Sequence, residues 1–133
     1  MLAFLDSNIL IYAFSEDGRR SVTERLMEQP FAISVQSLNE FVHVSRRKAR
    51  RPWQEIERSL VFLVKAADVV VGITIDTQAK AMKVAKRYEL ATYDAQLVAS
   101  ALEAGCTVFL SEDMNHGLII DERLTIQNPF TGD

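Results

Sequence analysis

"LDSNILIYAF" (residues 5–14) decides how this chain is read, because a single acid joins a short apolar run to a longer one. Met1 to Leu5 have the length and composition of a buried strand, and Ile9 to Phe14 continue without a polar break. Asp6 therefore stands where a strand gives way to a helix. An aspartate there has an ordinary role as a helix cap, accepting hydrogen bonds from the first free amides. It also stands at the carboxyl end of a strand, where open α/β sheets gather their functional groups. Which role applies depends on what else the chain sends to that edge.

The same alternation recurs downstream. "FAISV" (31–35) and "TVFL" (107–110) read as short buried strands, "VVVGITI" (69–75) as a strand or an extended link, and "LTIQ" (124–127) as a later strand. Helical spacing separates them. Val22, Leu26 and Met27 mark one helix, and Leu38, Phe41, Val42 and Ser45 the next. "RPWQEIERSLVFLVKAA" (51–67) opens with Pro52 at a first-turn position, and its Trp53, Ile56, Leu60, Leu63 and Val64 line a face suited to the core or a neighbouring subunit. "TQAKAMKVAKRYEL" (77–90) and "DAQLVASALEAG" (94–105) are two further helices, the second ended by Gly105. Strands alternating with helices imply an α/β fold: a three-layer α/β/α domain around a central parallel sheet of four to five strands. Five glycines and three prolines are too scattered to mark a boundary, so residues 1–133 read as one domain.

Composition narrows the function classes. With 48% apolar and 25% charged residues the chain is an ordinary globular sequence, which argues against disorder. No apolar run approaches the ~20 residues of a membrane span. Met1 to Leu5 run straight into Asp6, unlike a signal peptide, so a cytoplasmic location without membrane association is expected. One cysteine, Cys106, excludes an internal disulfide framework and a cysteine zinc cage, and it reads as a small buried apolar group. The net charge of −3 conceals "RRKARR" (46–51), which packs five of the 15 basic residues into six positions. Arg46, Arg47, Lys48, Arg50 and Arg51 suit an anionic partner, or else a solvated helix end favoured by the dipole.

Topology sends several acids to one sheet edge. Asp6 follows the first strand, Glu40 lies five residues after "FAISV", and Asp113 lies three after "TVFL". Asp94 heads the helix leading into "TVFL" and joins them if the preceding loop allows. Each has an innocent alternative. Asp6 and Asp94 suit helix starts, Ser37 and Glu40 match a capping box, and "SEDMN" is good turn chemistry. Asp76, after "VVVGITI", is formally another strand-end acid and an adequate cap, so position alone leaves the choice among acids open. Converging carboxylates require a compensating cation, and oxygen donors without a histidine or thiolate cluster favour Mg²⁺ or Mn²⁺.

Together, "LDSNILIYAF", "SLNEFVHV", "YDAQLVASALEAGC" and "LSEDMNHG" resemble the PIN-domain nucleases, and within them the VapC-like toxins of bacterial toxin–antitoxin pairs. The resemblance runs from the first residues to the closing "IQNPF" and rests on the order and spacing of its motifs. It implies a metal-dependent endoribonuclease whose catalytic acids are Asp6, Glu40, Asp94 and Asp113. Asp6, Asp94 and Asp113 would be the metal ligands, and Glu40 a ligand or the group that orients the attacking water. Asn8, Ser111 and Asn115 would support them. The resemblance further implies Mg²⁺ or Mn²⁺, an RNA substrate, a homodimer and a cognate antitoxin, with the basic block facing RNA or antitoxin. Where many relatives carry a further aspartate, this chain has Asn115, which weakens the case for a second tightly held ion; Glu112 is acidic but adjacent.

Other residues read as bystanders. Glu40 and His43 form a lone E-x-x-H, and a carboxylate-bridged iron site would need a second copy. His116 reads as a loop or rim residue, and Tyr12, Phe14, Trp53 and Tyr93 as core aromatics rather than residues that stack on bases. The alternative from another class is a non-catalytic PIN-like RNA- or protein-binding module. A phosphoacceptor receiver domain would need an acid pair after the first strand and a lysine after the last, and "LDSN" and "FLSED" supply neither.

Overall fold

In the computed structural model, which describes residues 1–131, strands and helices follow one another as β1 (Ala3–Leu5), α1 (Ser7–Ala13), α2 (Arg20–Leu26), β2 (Phe31–Ser34), α3 (Val35–Arg47), α4 (Trp53–Ala66), β3 (Val69–Val71), α5 (Ile75–Tyr88), α6 (Thr92–Glu103), β4 (Val108–Leu110), β5 (Ile119–Ile120) and β6 (Leu124–Gln127). Gly132 and Asp133, the end of the expected 1–133 domain, lie outside the described residues. The strands form one sheet in the order β3-β2-β1-β4-β6-β5, parallel except for the β5–β6 pair.

The α/β reading therefore holds, with six strands rather than four to five. The addition is β5, a two-residue strand hairpinned onto β6 and too short to signal itself in sequence.

Period-two alternation in the strands builds the two sides of the sheet. Phe4, Ala32 and Phe109 point into a core shared with Ala81 and Val84 of α5 and Leu97 and Val98 of α6. Their neighbours Leu5, Ile33 and Leu110 point the other way, onto Ile9 and Leu10 of α1, Phe41 of α3 and Leu63 of α4. Phe4 and Phe109 stack at 5.2 Å across the β1–β4 pair. Each such buried phenyl contributes about 1.5–3 kcal/mol relative to exposure.

Local chemistry places the helix starts differently from several sequence expectations. The capping box of α3 pairs Ser34 with Ser37, so "FAISV" ends as a strand at Ser34, and Glu40 is not needed as a cap. Thr74 and Thr77 form the box of α5, which leaves Asp76 exposed in the first turn, neither cap nor strand-end acid. Pro52 sits at the N-cap of α4 rather than inside its first turn. On that helix Ile56 and Leu63 are buried, whereas Trp53 and Val64 are about half exposed, as are Val61 and Phe62. Gly105 follows the α6 cap at φ +77°, a left-handed position that favours glycine, as its place after the helix suggested.

Chain order runs outward from β1 to β2 and β3, then returns to β4 on the other flank of β1. The crevice beyond the carboxyl ends of β1 and β4 is thus the switch point of the sheet, the default place for a site in such folds.

Candidate active site

Leu5 and Leu110 are in register across β1 and β4, so the next residue of each strand, Asp6 and Ser111, meets its counterpart. The Asp6 amide donates to the Leu110 carbonyl at 3.0 Å, and the buried Ser111 hydroxyl donates to Asp6 Oδ2 at 2.7 Å. Asp6 Oδ1 accepts from the Ser7 amide at 2.7 Å, which makes Asp6 the cap of α1 as well. Asp6 is thus a helix cap and a strand-end acid at once.

The neighbouring residues bring the other acids in. Ser7 Oγ lies 2.9 Å from Glu40 Oε1, to which it donates, and 3.4 Å from Asp6 Oδ1. Gln36, one turn back on α3, donates to Glu40 Oε2 at 3.0 Å. The Asn8 amide nitrogen is 3.1 Å from Asp113 Oδ2 and 3.4 Å from both Asp6 Oδ2 and Ser111 Oγ. Its oxygen accepts from the Glu112 amide at 3.3 Å, and the Asp113 amide donates to Ser111 Oγ at 3.1 Å. Asp94, in the first turn of α6, completes the group: its carboxyl feels the charges of Glu40 and Asp113.

The electrostatics follow from this convergence. Burial pushes the Asp6 carboxyl up to about 6, against the opposing hydrogen bonds from Ser111 and Ser7, and the charges of Glu40 and Asp94 push it further up. Asp94 is raised as well, first by partial burial and then by Glu40 and Asp113. Among the described residues none of the four carboxylates has an ion-pair partner. Nor do three His, Cys, Asp or Glu side chains already stand together as a metal-binding group among them. Asp6 reaches Glu40 and Asp113 through Ser7 and Asn8. A donor set of carboxylate oxygens with unbalanced charge suits a hard divalent cation, which would relieve the repulsion raising Asp6 and Asp94.

The structure separates the remaining candidates. Asn115 is exposed and makes no hydrogen bond to the four acids. Glu112 is turned away from the cluster, accepting from Tyr12 Oη at 2.7 Å and pairing with Arg19 Nε at 2.9 Å. Arg46 and Arg47 end α3, with Arg46 stacked on Trp53 at 4.6 Å. That places the start of the basic block roughly 9 Å along the helix from Glu40. Arg47, Lys48 and Arg50 are exposed, whereas Arg51 turns inward, donating to Ser59 Oγ at 2.7 Å and lying over the Phe14 ring. Cys106 is buried, its thiol pushed up to about 11 by that burial.

The cluster borders a groove of about 560 Å³ lined by Ser7, Asn39, Glu40, His43 and Tyr93 among others. Tyr93 was read as core and is instead 65% exposed, next to Asp94. Its position one residue before a first-turn acid was the available signal. Nothing in the sequence marked Gln36 or the Arg19–Glu112–Tyr12 group, which depend on contacts between distant segments.

No curated protein matches the chain in sequence. Among solved structures, a toxin–antitoxin complex from Klebsiella pneumoniae is similar at 24% identity and a TM-score of 0.71, over 96% of this chain and 98% of that one. VapBC2 from Rickettsia felis, bound to a DNA fragment from its promoter, gives 18% and 0.68 over 96% and 98%. VapC20 from Mycobacterium tuberculosis, a sarcin–ricin loop cleaving toxin, gives 18% and 0.67 over 80% and 86%. At these identities the likeness is one of fold. Residues 3–117 match the PIN domain family itself, and on that match, covering β1 through the Asp113 loop, the chain belongs to the PIN domain family.

Proposed function

We propose that this protein is a divalent-metal-dependent endoribonuclease, the toxin of a toxin–antitoxin pair. The observation that carries the reading is that Ser7 and Asn8 link Asp6 to Glu40 and Asp113 at the switch point, within reach of the charge of Asp94, with no cationic side chain among the described residues paired to any of the four. Asp6, Asp94 and Asp113 are the proposed ligands of Mg²⁺ or Mn²⁺, with Glu40 a further ligand or the group that orients water. Such an ion supplies charge neutralisation at the scissile phosphate and lowers the pKa of water.

The chain's own residues do the positioning. Ser7 and Gln36 fix the two Glu40 oxygens, leaving its carboxylate facing the groove and able to take a proton from water there. Asn8 and Ser111 tie Asp113 to Asp6, so the two strand ends cannot drift independently. Tyr93 and His43 border the groove where a base and ribose would lie, and the exposed cations after α3 suit the backbone of the same strand.

Partner surfaces support the toxin reading. Val61, Phe62 and Val64 leave an apolar face of α4 half exposed, suited to a second copy. Phe62 also borders a groove of about 440 Å³ with Phe14 and Met27, suited to an apolar antitoxin segment. No helix of the described residues is long and apolar enough to cross a membrane, and a cytoplasmic location is proposed on the toxin reading.

The test is incubation of the purified protein with cellular RNA in Mg²⁺ or Mn²⁺ and in chelator. Defined cleavage products with metal, abolished by chelation, are expected. Intact RNA under every condition, with RNA binding retained, would favour the non-catalytic module.

A further inference from the structure

α5 places Lys80, Lys83 and Arg87 three and four residues apart, on one stripe of the helix. Across from them stands Arg123, at the end of the β5–β6 turn, and together they line a cavity of about 310 Å³ floored by Val84 and Leu102. Four cations and one carboxylate, Asp121, line it, and Glu103 on α6 approaches Lys80 from beyond the lining. The ion pairs present are long: Lys80 to Glu103 and Arg87 to Asp121, both at 3.7 Å. Lys83 and Arg123 make none among the described residues. Like charges gathered around a cleft attract an anion, because the low-dielectric walls focus their field.

A second observation concerns the turn that carries Arg123. Asp121 and Glu122 both lie in the left-handed region, at φ +49° and +59°, as the central residues of a turn closed by the Arg123 amide on the Ile120 carbonyl within the three-residue β5–β6 loop; Asn and Gly take such a backbone more readily. Tyr88 braces it from α5, its hydroxyl accepting from the Asp121 amide at 2.8 Å and lying 3.2 Å from Asp121 Oδ1, to which it donates. A disfavoured backbone is thus pinned in the geometry that sets Arg123 opposite the α5 cations, and such strain gathers at functional positions.

We propose that this cleft is a second RNA-binding subsite, gripping a backbone phosphate of the substrate away from the carboxylates; it rests on the ribonuclease reading above. Leu102 on the floor of the cleft is eight residues along α6 from Asp94, roughly 12 Å. Arg123 precedes β6, which is parallel to β4, so the cleft lies toward the amino edge of the sheet and a strand gripped there would have to run along α6 to reach the carboxylates. The apolar floor takes the carbon face of the ribose, and Lys83 and Arg123, without an ion-pair partner among the described residues, take the phosphate.

The experiment is fluorescence anisotropy of a labelled RNA hairpin with the metal-free protein across a salt series. Lys83→Gln/Arg123→Gln should weaken binding and reduce the slope of log K against log salt by about 1.4 to 1.8, the value for two lost phosphate contacts. Lys83→Arg should bind as wild type does. Arg58→Gln/Lys65→Gln, which removes the same charge from α4, should leave the slope unchanged. An unchanged slope in the cleft variant, or an equal loss in the α4 variant, would overturn the subsite while leaving the ribonuclease reading intact. A metal-free wild type that binds no RNA would overturn the subsite, and the ribonuclease reading would then fail only if RNA also stayed uncut with Mg²⁺ or Mn²⁺.

Discussion

Ser111 Oγ donates to Asp6 Oδ2 at 2.7 Å, joining the carboxyl ends of two adjacent parallel strands through a pair of buried side chains. The bond opposes the effect of burial on Asp6, so Ser111→Ala should drive the Asp6 carboxyl above its present value of about 6. Losing a hydrogen bond to a buried charged group costs about 1.5–3 kcal/mol. Urea denaturation of the metal-free protein should show that loss at pH 8, where Asp6 is ionised, and a smaller one at pH 5. Equal losses at both pH values would mean that the hydroxyl serves packing alone.

Asp6 itself should make the metal-free protein less stable as pH rises. Its folded pKa of about 6 lies above the ordinary 3.8, so the native state holds its proton where the unfolded state has released it. Below about pH 4 both states are protonated and the group costs nothing; between roughly pH 4 and 6 stability falls, by on the order of 3 kcal/mol in total. Asp6→Asn should flatten that decline and raise stability at neutral pH, less whatever its weaker hydrogen bonds give back. Melting curves from pH 4 to 8 check this, and a steeper decline in the variant would contradict it.

Glu112 and Asp113 are neighbours with opposite assignments. Glu112 faces Tyr12 and Arg19, so Glu112→Gln should cost no more than ~1 kcal/mol, as a partly exposed pair does, and leave RNA cleavage within a few-fold. Asp113→Asn should lower cleavage by about 10²-fold or more with little change in folding. Cleavage rates and melting temperatures of the two variants separate the roles.

For the basic block, Arg47→Gln/Lys48→Gln/Arg50→Gln changes only exposed side chains. It should weaken RNA binding and reduce its salt dependence while shifting stability by no more than ~0.5 kcal/mol per site. Arg51→Gln should behave differently. Its guanidinium bonds Ser59 and covers Phe14, so it should lower the melting temperature. A matching effect on RNA binding from all four positions, with no change in melting, would contradict the distinction.

How much of this was legible follows from what the residues depend on. Every strand but β5, and the strand-end positions of Asp6, Glu40 and Asp113, were readable because apolar patterning and position after a strand are local properties. Asp94 could be placed only once the α5–α6 loop was known. The capping assignments misled at Glu40 and Asp76, because Ser34, six residues before Glu40, and Thr74, two before Asp76, took the caps. The outward faces of Trp53, Val64 and Tyr93 were hidden, since apolar spacing identifies a helix face without saying whether anything covers it. The second cluster of cations on α5 is spread at helical intervals and completed by Arg123 from 36 residues away, so no run of charge announces it as "RRKARR" announces itself.

The most direct test of the central claim is the rate of RNA cleavage by wild type, Asp94→Asn and Asp76→Asn, each titrated with Mn²⁺ from a chelated start. Wild type and Asp76→Asn should gain the same metal-dependent activity, because Asp76 is an exposed first-turn residue remote in role from the cluster. Asp94→Asn should lie about 10²-fold or more below them at saturating metal. Cleavage that survives chelation, or that is lost in Asp76→Asn and kept in Asp94→Asn, would contradict the assignment of the site.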